Sequence, residues 1–241
     1  MTASRPRRAP LFLALALACA LPVHAQVKVD GVIEPAEWQG ARHVTGFRMV
    51  QPYTQAETRH PTEAWVQATP EGLAVAFRNT KLPGVATPRQ RSRRDQGADI
   101  DRVNVMLDFD GEARGGYAFT LTASNGMQDA TITSQGNFST DWDGLWQHAV
   151  ADGEGEWTAE VLIPWHTAPM KQAAGETRTI GIYLDRVIGS VNERMAWPGV
   201  SFERPQFLNQ FERIQVPAHT QSLLAVTPYV VGLHDMVRKE E

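Results

Sequence analysis

Two tryptophans four residues apart lie in a polar stretch of the sequence. Trp142 and Trp146 are accompanied by Asp141 and Asp143. A flat indole ring packs against the axial C–H groups of a sugar, and neighbouring carboxylates accept its hydroxyl hydrogens. Tryptophan is also a common core residue, so packing and ligand contact both stay open. If a strand begins at Leu145, Trp146 points inward and Trp142 is the better platform.

Further polar side chains crowd the ends of a predicted central hairpin. Its strands are the alternating runs 103–109 and 117–121, joined by a glycine-rich turn. Arg94 precedes the first strand, and Asn125 and Asp129 follow the second. Such side chains hydrogen-bond sugar hydroxyls, but they equally form turns and salt bridges. These three residues are therefore candidate ligand contacts, and a role in turns or salt bridges is the alternative.

Four aspartates near the first strand of this hairpin are candidate calcium ligands. They are Asp99, Asp101, Asp108 and Asp110. Their hard oxygens suit calcium, and strand alternation would send Asp108 and Asp110 to one face, although the spacing is not that of an EF-hand. The histidines are scattered and show no zinc-binding spacing. A structural calcium ion is the only cofactor that the sequence suggests.

Catalytic motifs are absent from the sequence. It contains no Gly-x-Ser-x-Gly, and its one cysteine, Cys19, lies in the N-terminal leader. A glycosidase would need two carboxylates that face each other at a set separation, which sequence spacing cannot show. Glu160, on the polar side of a predicted strand, is expected to be solvated or salt-bridged. We interpret the chain as a binding domain, with a glycoside hydrolase as a weaker alternative.

The N-terminus has the pattern of a signal peptide. Three arginines precede the apolar run 11–21, and Val23-His24-Ala25 fits a small-x-small cleavage site. We predict cleavage after Ala25. The remaining chain of about 216 residues would be exported to the periplasm or beyond the cell.

The charge and hydropathy of the remaining chain argue against binding to nucleic acid and against a membrane-spanning helix. The sequence of 241 residues has a net charge of −4. Loss of the three arginines of residues 1–25 changes this to about −7, which argues against nucleic acid. No later apolar run has the length of a transmembrane helix. We expect one domain over residues 26–235 and a charged tail over 236–241.

Short runs with a period of two recur along the chain, between glycine and proline turns. Besides the central hairpin, strands are predicted over residues 64–69, 73–79, 157–163, 180–184 and 211–216. With no long amphipathic helix, this pattern predicts an all-β fold, an antiparallel, jelly-roll-like β-sandwich with short helical turns. Residues 185–197 are predicted to form a loop that ends at Trp197.

Two predictions concern the packing of particular side chains. Trp38, on a short helical turn after Asp30-Gly31, is expected to plug one end of the core. The small side chains of Ala74 and Ala76 face away from Leu73 and Val75 in one strand. Another segment is therefore expected to pack closely against that face.

The order of these segments resembles that of a carbohydrate-binding module of family 9. The matching pieces are Asp30-Gly31 to Trp38, the strand ending at Asp108, Tyr117-x-Phe119, the Trp142/Trp146 loop, and Trp157-Thr158-Ala159-Glu160 with Ile163-Pro164. The resemblance implies a β-sandwich that clamps a sugar between tryptophans and in some members carries calcium. Trp197 is then the candidate partner of Trp142.

A subgroup of this family is still more similar. Further pieces resemble the N-terminal domain of bacterial outer-membrane-barrel proteins of unassigned function; they are Arg93-Arg94-Asp95, Asn125-Gly126 with Asp129, Asn192-Glu193 with Trp197, and Pro228-Tyr229. The resemblance implies an association with such a barrel.

These observations lead to one functional expectation and one rival. The expectation is an exported, non-catalytic domain that binds oligo- or polysaccharide and serves carbohydrate catabolism. Trp142 would stack on the sugar opposite Trp197 or Trp146, and Arg94, Asn125 and Asp129 would bind hydroxyls. The rival is a structural or interaction domain of an outer-membrane barrel protein.

Overall fold

The computed structural model describes residues 26–81, 83 and 100–219. Within them the chain forms fourteen strands and three short 3₁₀ helices. The strands are β1 (Arg42–Val44), β2 (Arg48–Gln51), β3 (Tyr53–Glu57), β4 (Thr62–Ala68), β5 (Gly72–Thr80), β6 (Arg102–Asp108), β7 (Gly115–Thr122), β8 (Met127–Thr133), β9 (Phe138–Ser139), β10 (Gln147–Asp152), β11 (Glu156–Pro164), β12 (Thr177–Ile188), β13 (Glu193–Trp197) and β14 (Glu212–Pro217). The 3₁₀ helices are Trp165–Thr167, Gly189–Val191 and Phe207–Gln210.

The strands form two antiparallel sheets that pack as a sandwich. The small sheet has the order β1-β4-β5-β11-β10. The large sheet has nine strands, in the order β3-β2-β13-β12-β6-β7-β8-β9, with β14 also paired to β12. The predicted all-β sandwich is confirmed.

The main core lies between the two sheets and follows the predicted alternation. Trp157, Val161 and Ile163 of β11 are buried there against Val105 and Leu107 of β6. The pairs β4–β5 and β6–β7 are the two hairpins that the sequence predicts.

Residues 185–197 form a hairpin, so the predicted loop is wrong. β12 runs on to Ile188, and β13 pairs with it from Glu193 to Trp197. The 3₁₀ helix at 189–191 makes the turn, and Asn192 ends it with a φ of 52°. The alternation of Leu184, Arg186 and Ile188 toward the core extends the strand beyond the point at which charged residues indicate a loop.

The N-terminal segment, residues 26–41, lies on the outer face of the small sheet. Val27 and Trp38 are buried there with Ala74, Ala76 and Leu162. This confirms that the small side chains of β5 admit a close neighbour. Trp38 is buried as expected, but in this separate cluster and not at the end of the main core.

Glu160 is covered by the same segment, so its predicted exposure is wrong. It is fully buried. Its carboxylate accepts the backbone N–H of Asp30 at 3.1 Å and of Gly31 at 2.8 Å, and the indole N–H of Trp38 at 3.2 Å. At Gly31, which has a φ of 88°, a Cβ would lie 2.8 Å from the backbone nitrogen of Ala151. Only glycine allows this close approach.

A second apolar cluster covers part of the outer face of the large sheet. Met106 and Tyr183 of the sheet pack there against Phe207, Leu208 and Phe211. The segment 200–211 thus buries the apolar part of this face.

Several predicted features lie outside the described residues. They are the signal peptide over 1–25, Arg94, Asp99 and the tail over 236–241. Within the described part of the chain, none of the helices has the length and apolar character needed to span a bilayer.

Candidate functional site

Asp129 and Trp146 come together in the structure, but in the interior. Asp129 is 1% exposed and Trp146 is 8% exposed. The carboxylate accepts the backbone N–H of Gly144 at 2.7 Å and the indole N–H of Trp146 at 3.2 Å. Phe119 packs edge-on against the Trp146 ring, with the centroids 5.6 Å apart. Asp129 thus anchors the loop that precedes β10.

Trp142 is half-buried and folds back on its own loop. Its ring packs against Tyr117 at 4.8 Å and Phe119 at 5.9 Å, measured between centroids. A Cβ on Gly144 would lie 2.6 Å from the ring. The nearby Asn125 has a φ of 63°, and its side chain lies 3.0 Å from Nδ1 of His148. Trp142 thus packs against the rings of β7, and its role as a sugar platform stays a prediction.

Trp197 lies away from Trp142. It is opposite Leu184 of β12, in a row that continues through Val105 to Phe119 of β7. Three strand spacings, or roughly 14 Å, therefore separate the strand of Trp197 from the ring neighbours of Trp142. Arg42 stacks on the Trp197 ring at 4.8 Å. The structure therefore does not bring Trp142 and Trp197 together, and the other predicted partner of Trp142, Trp146, is buried.

The candidate calcium ligands are also separated. Asp101 and Asp108 flank β6 at its two ends, which are roughly 20 Å apart. Asp101 accepts from Arg186 at 3.4 Å, Asp108 accepts turn N–H groups, the nearest at 2.7 Å, and Asp110 accepts from a guanidinium at 2.9 Å. No group of three or more potential ligands for a metal ion occurs among residues 26–81, 83 and 100–219. Asp101 lies a strand length from Asp108, so these two cannot share one ion, and calcium binding at Asp108 and Asp110 stays a prediction.

A prediction tests the structural role of Asp129. Replacing Asp129 by alanine leaves two buried donors, the Gly144 N–H and the Trp146 indole N–H, without an acceptor. We expect the free energy of unfolding to fall by roughly 2–3 kcal/mol. Urea unfolding measures the change. Asp141→Ala, at an exposed loop position, is the control and should stay within about 0.5 kcal/mol of the wild type.

The outer face of the large sheet carries a polar row that the sequence analysis missed. Four neighbouring strands place one residue each in this outer polar row, which consists of Asp185, Asn104, Thr120 and Gln128. It runs beside the apolar row of Tyr183, Met106 and Ala118, which segment 200–211 covers. The two rows divide this face into an apolar part and a polar part.

Hydrogen bonds connect the centre of the row. Thr120 donates its hydroxyl to Oδ1 of Asn104 at 2.5 Å, and the Asn104 amide donates to Oδ1 of Asp185. Nε of Arg194 lies 3.9 Å from Oδ2 of Asp185. Neither of these last two atoms has a hydrogen-bond partner, although both are buried. A donor and an acceptor thus lie side by side, and each can still form a hydrogen bond.

Burial shapes the electrostatics of Asp185. The side chain is fully buried, and this desolvation raises the pKa of its carboxyl. The Arg194 guanidinium, the Asn104 hydrogen bond and the charge of Arg102 act in the opposite direction. Arg194 is itself held by Phe202, whose ring centroid lies 4.1 Å from the guanidinium carbon. The carboxyl of Asp185 and the amide of Asn104 thus lie beside the stacked guanidinium of Arg194.

The residue types of this row argue for a functional role. Asparagine and aspartate are depleted in strands, yet both occupy central strands of a nine-stranded sheet here. Local choices that disagree with the fold are expected where function requires them. The predicted loop over 185–197 takes Asp185 off the sheet, so sequence reasoning cannot join it to Asn104, which lies 81 residues earlier. The polar positions on the solvent side of β6 and β7 were the available signal.

Comparison with solved structures shows the fold. A family 9 carbohydrate-binding module of Caldicellulosiruptor kristjanssonii, solved with cellotriose, superposes with a TM-score of 0.50 and 12% identity over 86% of this chain and 96% of that one. A Bacteroides uniformis protein with a suggested carbohydrate-binding role gives a TM-score of 0.52 and 13% identity over 73% of this chain and 87% of that one.

Comparisons by sequence found no relatives. No family model matches the chain, and no curated protein matches it. The structural likeness, at these identities, concerns the backbone arrangement alone. The fold of this chain is accordingly like that of a family 9 carbohydrate-binding module.

Proposed function

We propose that this chain is an exported, non-catalytic carbohydrate-binding domain whose ligand lies on the outer polar row. One observation carries the proposal. Oδ2 of Asp185 and Nε of Arg194 are 3.9 Å apart, both are buried, and neither makes a hydrogen bond. A hydroxyl group donates one hydrogen bond and accepts others, so it completes both atoms at once.

The energetics favour such a ligand. A buried polar atom without a partner costs about 1–3 kcal/mol, so two such atoms lower the free energy of unfolding of a domain appreciably. Both atoms are closed to solvent in the structure, so a sugar hydroxyl removes this cost only when the side chains that cover them move aside on binding. Hydroxyls of neighbouring rings in an oligosaccharide would meet Thr120 and Gln128, which are half-buried on the same face, two and three strands from Asp185.

The comparisons support a carbohydrate ligand. One neighbour of the same fold is a carbohydrate-binding module in complex with cellotriose. The description of that protein names carbohydrate binding and no catalysis. We propose carbohydrate binding for this chain as well. Export is proposed from the signal-peptide pattern of residues 1–25.

Titration calorimetry with a panel of oligosaccharides tests the proposal. Asp185→Asn keeps the shape but places an amide N–H₂ or a weaker acceptor beside Arg194, and we expect it to weaken binding at least tenfold, or about 1.4 kcal/mol. Trp142→Ala should leave the affinity within about twofold, because its ring is packed against Tyr117 and Phe119. Thermal unfolding checks that both variants are folded.

The opposite effects of the two substitutions on affinity would support the sugar platform predicted at Trp142. If Trp142→Ala abolishes binding and Asp185→Asn does not, the ligand binds at the loop that precedes β10, and the outer polar row has a structural role. If no oligosaccharide binds the wild type, that result supports the rival role, an interaction domain of an outer-membrane barrel protein. Release of reducing sugar by pure protein would contradict the non-catalytic role.

A further inference from the structure

We propose that Tyr53 and Arg204 form a second subsite on this face, which takes the carboxylate-bearing residue of an acidic oligosaccharide. The inference rests on the proposed function and adds the class of ligand, a saccharide that contains uronic acid. It concerns residues outside the outer polar row.

An exposed aromatic ring and an exposed guanidinium are held together here. Tyr53 is 46% exposed, although it is a large side chain. The guanidinium carbon of Arg204 lies 4.9 Å from the Tyr53 ring centroid, and Nη2 donates to the tyrosine hydroxyl at 3.1 Å. Stacking and this hydrogen bond fix the fork of Arg204 without neutralising its charge.

The subsite is continuous with the outer polar row. Tyr53 lies opposite Val50 of β2, and the next residue of β2, Gln51, lies opposite Arg194 of β13. Two strand spacings, or roughly 10 Å, separate β3 from β13. Arg204 follows Phe202, the ring on which Arg194 stacks, by two residues. A ligand longer than one sugar ring is therefore long enough to span from β3 to β13.

Charge points to an acidic ligand. No carboxylate among the described residues pairs with Arg204 within 4.0 Å, whereas Arg48 on the same face is paired with Glu57 at 3.3 Å. Arg194 faces the single buried carboxyl of Asp185. Arg48 and Arg194 thus each face a carboxylate, whereas Arg204 has no carboxylate partner among the described residues. A planar carboxylate matches the guanidinium fork with two parallel hydrogen bonds, which a neutral hydroxyl does not.

The test compares two trisaccharides that differ only at C6, one of galacturonic acid and one of galactose. We expect the acidic trisaccharide to bind at least tenfold more tightly, and Arg204→Gln to reduce this advantage at least fivefold while the affinity for the neutral sugar is unchanged. Higher salt should weaken binding of the acidic sugar alone, because the ion pair is partly exposed. Arg114→Gln, whose side chain is 80% exposed beside Glu112, is the matched control and should change neither affinity.

The outcomes separate this inference from the proposed function. Equal affinity for the two trisaccharides, or an acidic preference that survives Arg204→Gln, overturns the subsite and leaves carbohydrate binding intact. Binding of neither trisaccharide by the wild type, together with no binding across the oligosaccharide panel, overturns both. Tyr53→Phe keeps the stacked ring and removes one hydrogen bond, so a partial loss of the acidic preference supports the geometry.

Discussion

Replacing Arg186 by alanine is expected to lower the free energy of unfolding by about 3–5 kcal/mol. Arg186 is 1% exposed and lies in the core, although it follows Asp185 directly in β12. Its guanidinium donates to the Thr62 hydroxyl at 3.3 Å, to the Thr80 carbonyl at 3.1 Å and to Asp101 at 3.4 Å. It therefore joins the large sheet to two strands of the small sheet.

The size of this effect follows from the carboxylate that is left behind. Asp101 is 3% exposed, and burial raises the pKa of its carboxyl while Arg186 opposes that rise. Without Arg186 the charged form of Asp101 loses the guanidinium that pairs with it. Removing one partner of a buried pair is much more costly than replacing both with apolar side chains.

Urea unfolding of three variants tests this account. Arg186→Met combined with Asp101→Leu should recover most of the stability that Arg186→Ala loses. Arg114→Ala, on the surface, should change stability by no more than about 0.5 kcal/mol. If the double variant is as unstable as Arg186→Ala, the loss comes from packing and not from the unpaired charge. The deficit of Arg186→Ala should also shrink at low pH, where Asp101 is protonated.

The second large effect is expected at Glu160. Alanine at this position leaves three donors unsatisfied, the backbone N–H groups of Asp30 and Gly31 and the indole N–H of Trp38. We expect a loss of roughly 3–5 kcal/mol, since each buried donor without an acceptor costs about 1–3 kcal/mol. The N-terminal segment should detach, and amide hydrogen exchange at residues 27–38 should rise well above that of the main core.

The pH dependence of Glu160 has a definite sign. Burial raises the pKa of its carboxyl, and the three hydrogen bonds only partly counteract this. The folded protein then holds the proton more tightly than the unfolded chain. The stabilisation from this group is fully present below the ordinary pKa of glutamate and is lost as the pH rises through the raised pKa.

A glutamine variant separates this effect from the other acids. Glu160→Gln cannot titrate, so its stability should fall less than that of the wild type as the pH rises through this range. It keeps one acceptor and should lose less stability than Glu160→Ala. Parallel curves of stability against pH for Glu160→Gln and the wild type would contradict a raised pKa at Glu160. Asp141→Asn is the control for the removal of an exposed carboxyl.

The sequence by itself determined the architecture of this protein. Alternating runs with a period of two identify the hairpins β4–β5 and β6–β7 and the core-facing side of β11, because hydrophobic burial on one face of a strand requires that period. The small residues Ala74 and Ala76 likewise indicate a close neighbour. These are local properties of the chain, so they can be read along it.

Only the tertiary structure decided where the polar residues lie. Asp185 meets Asn104 and Arg194 because hydrogen bonding orders β13, β12 and β6 side by side, and strand order is not written in the alternation. Glu160 is buried because a segment 130 residues away covers it. Trp146 and Asp129 satisfy each other, and Trp142 lies against the rings of β7, since burial depends on neighbours that are distant in sequence. Local pattern predicts which face a side chain takes, but long-range packing decides whether water, protein or a ligand meets it there.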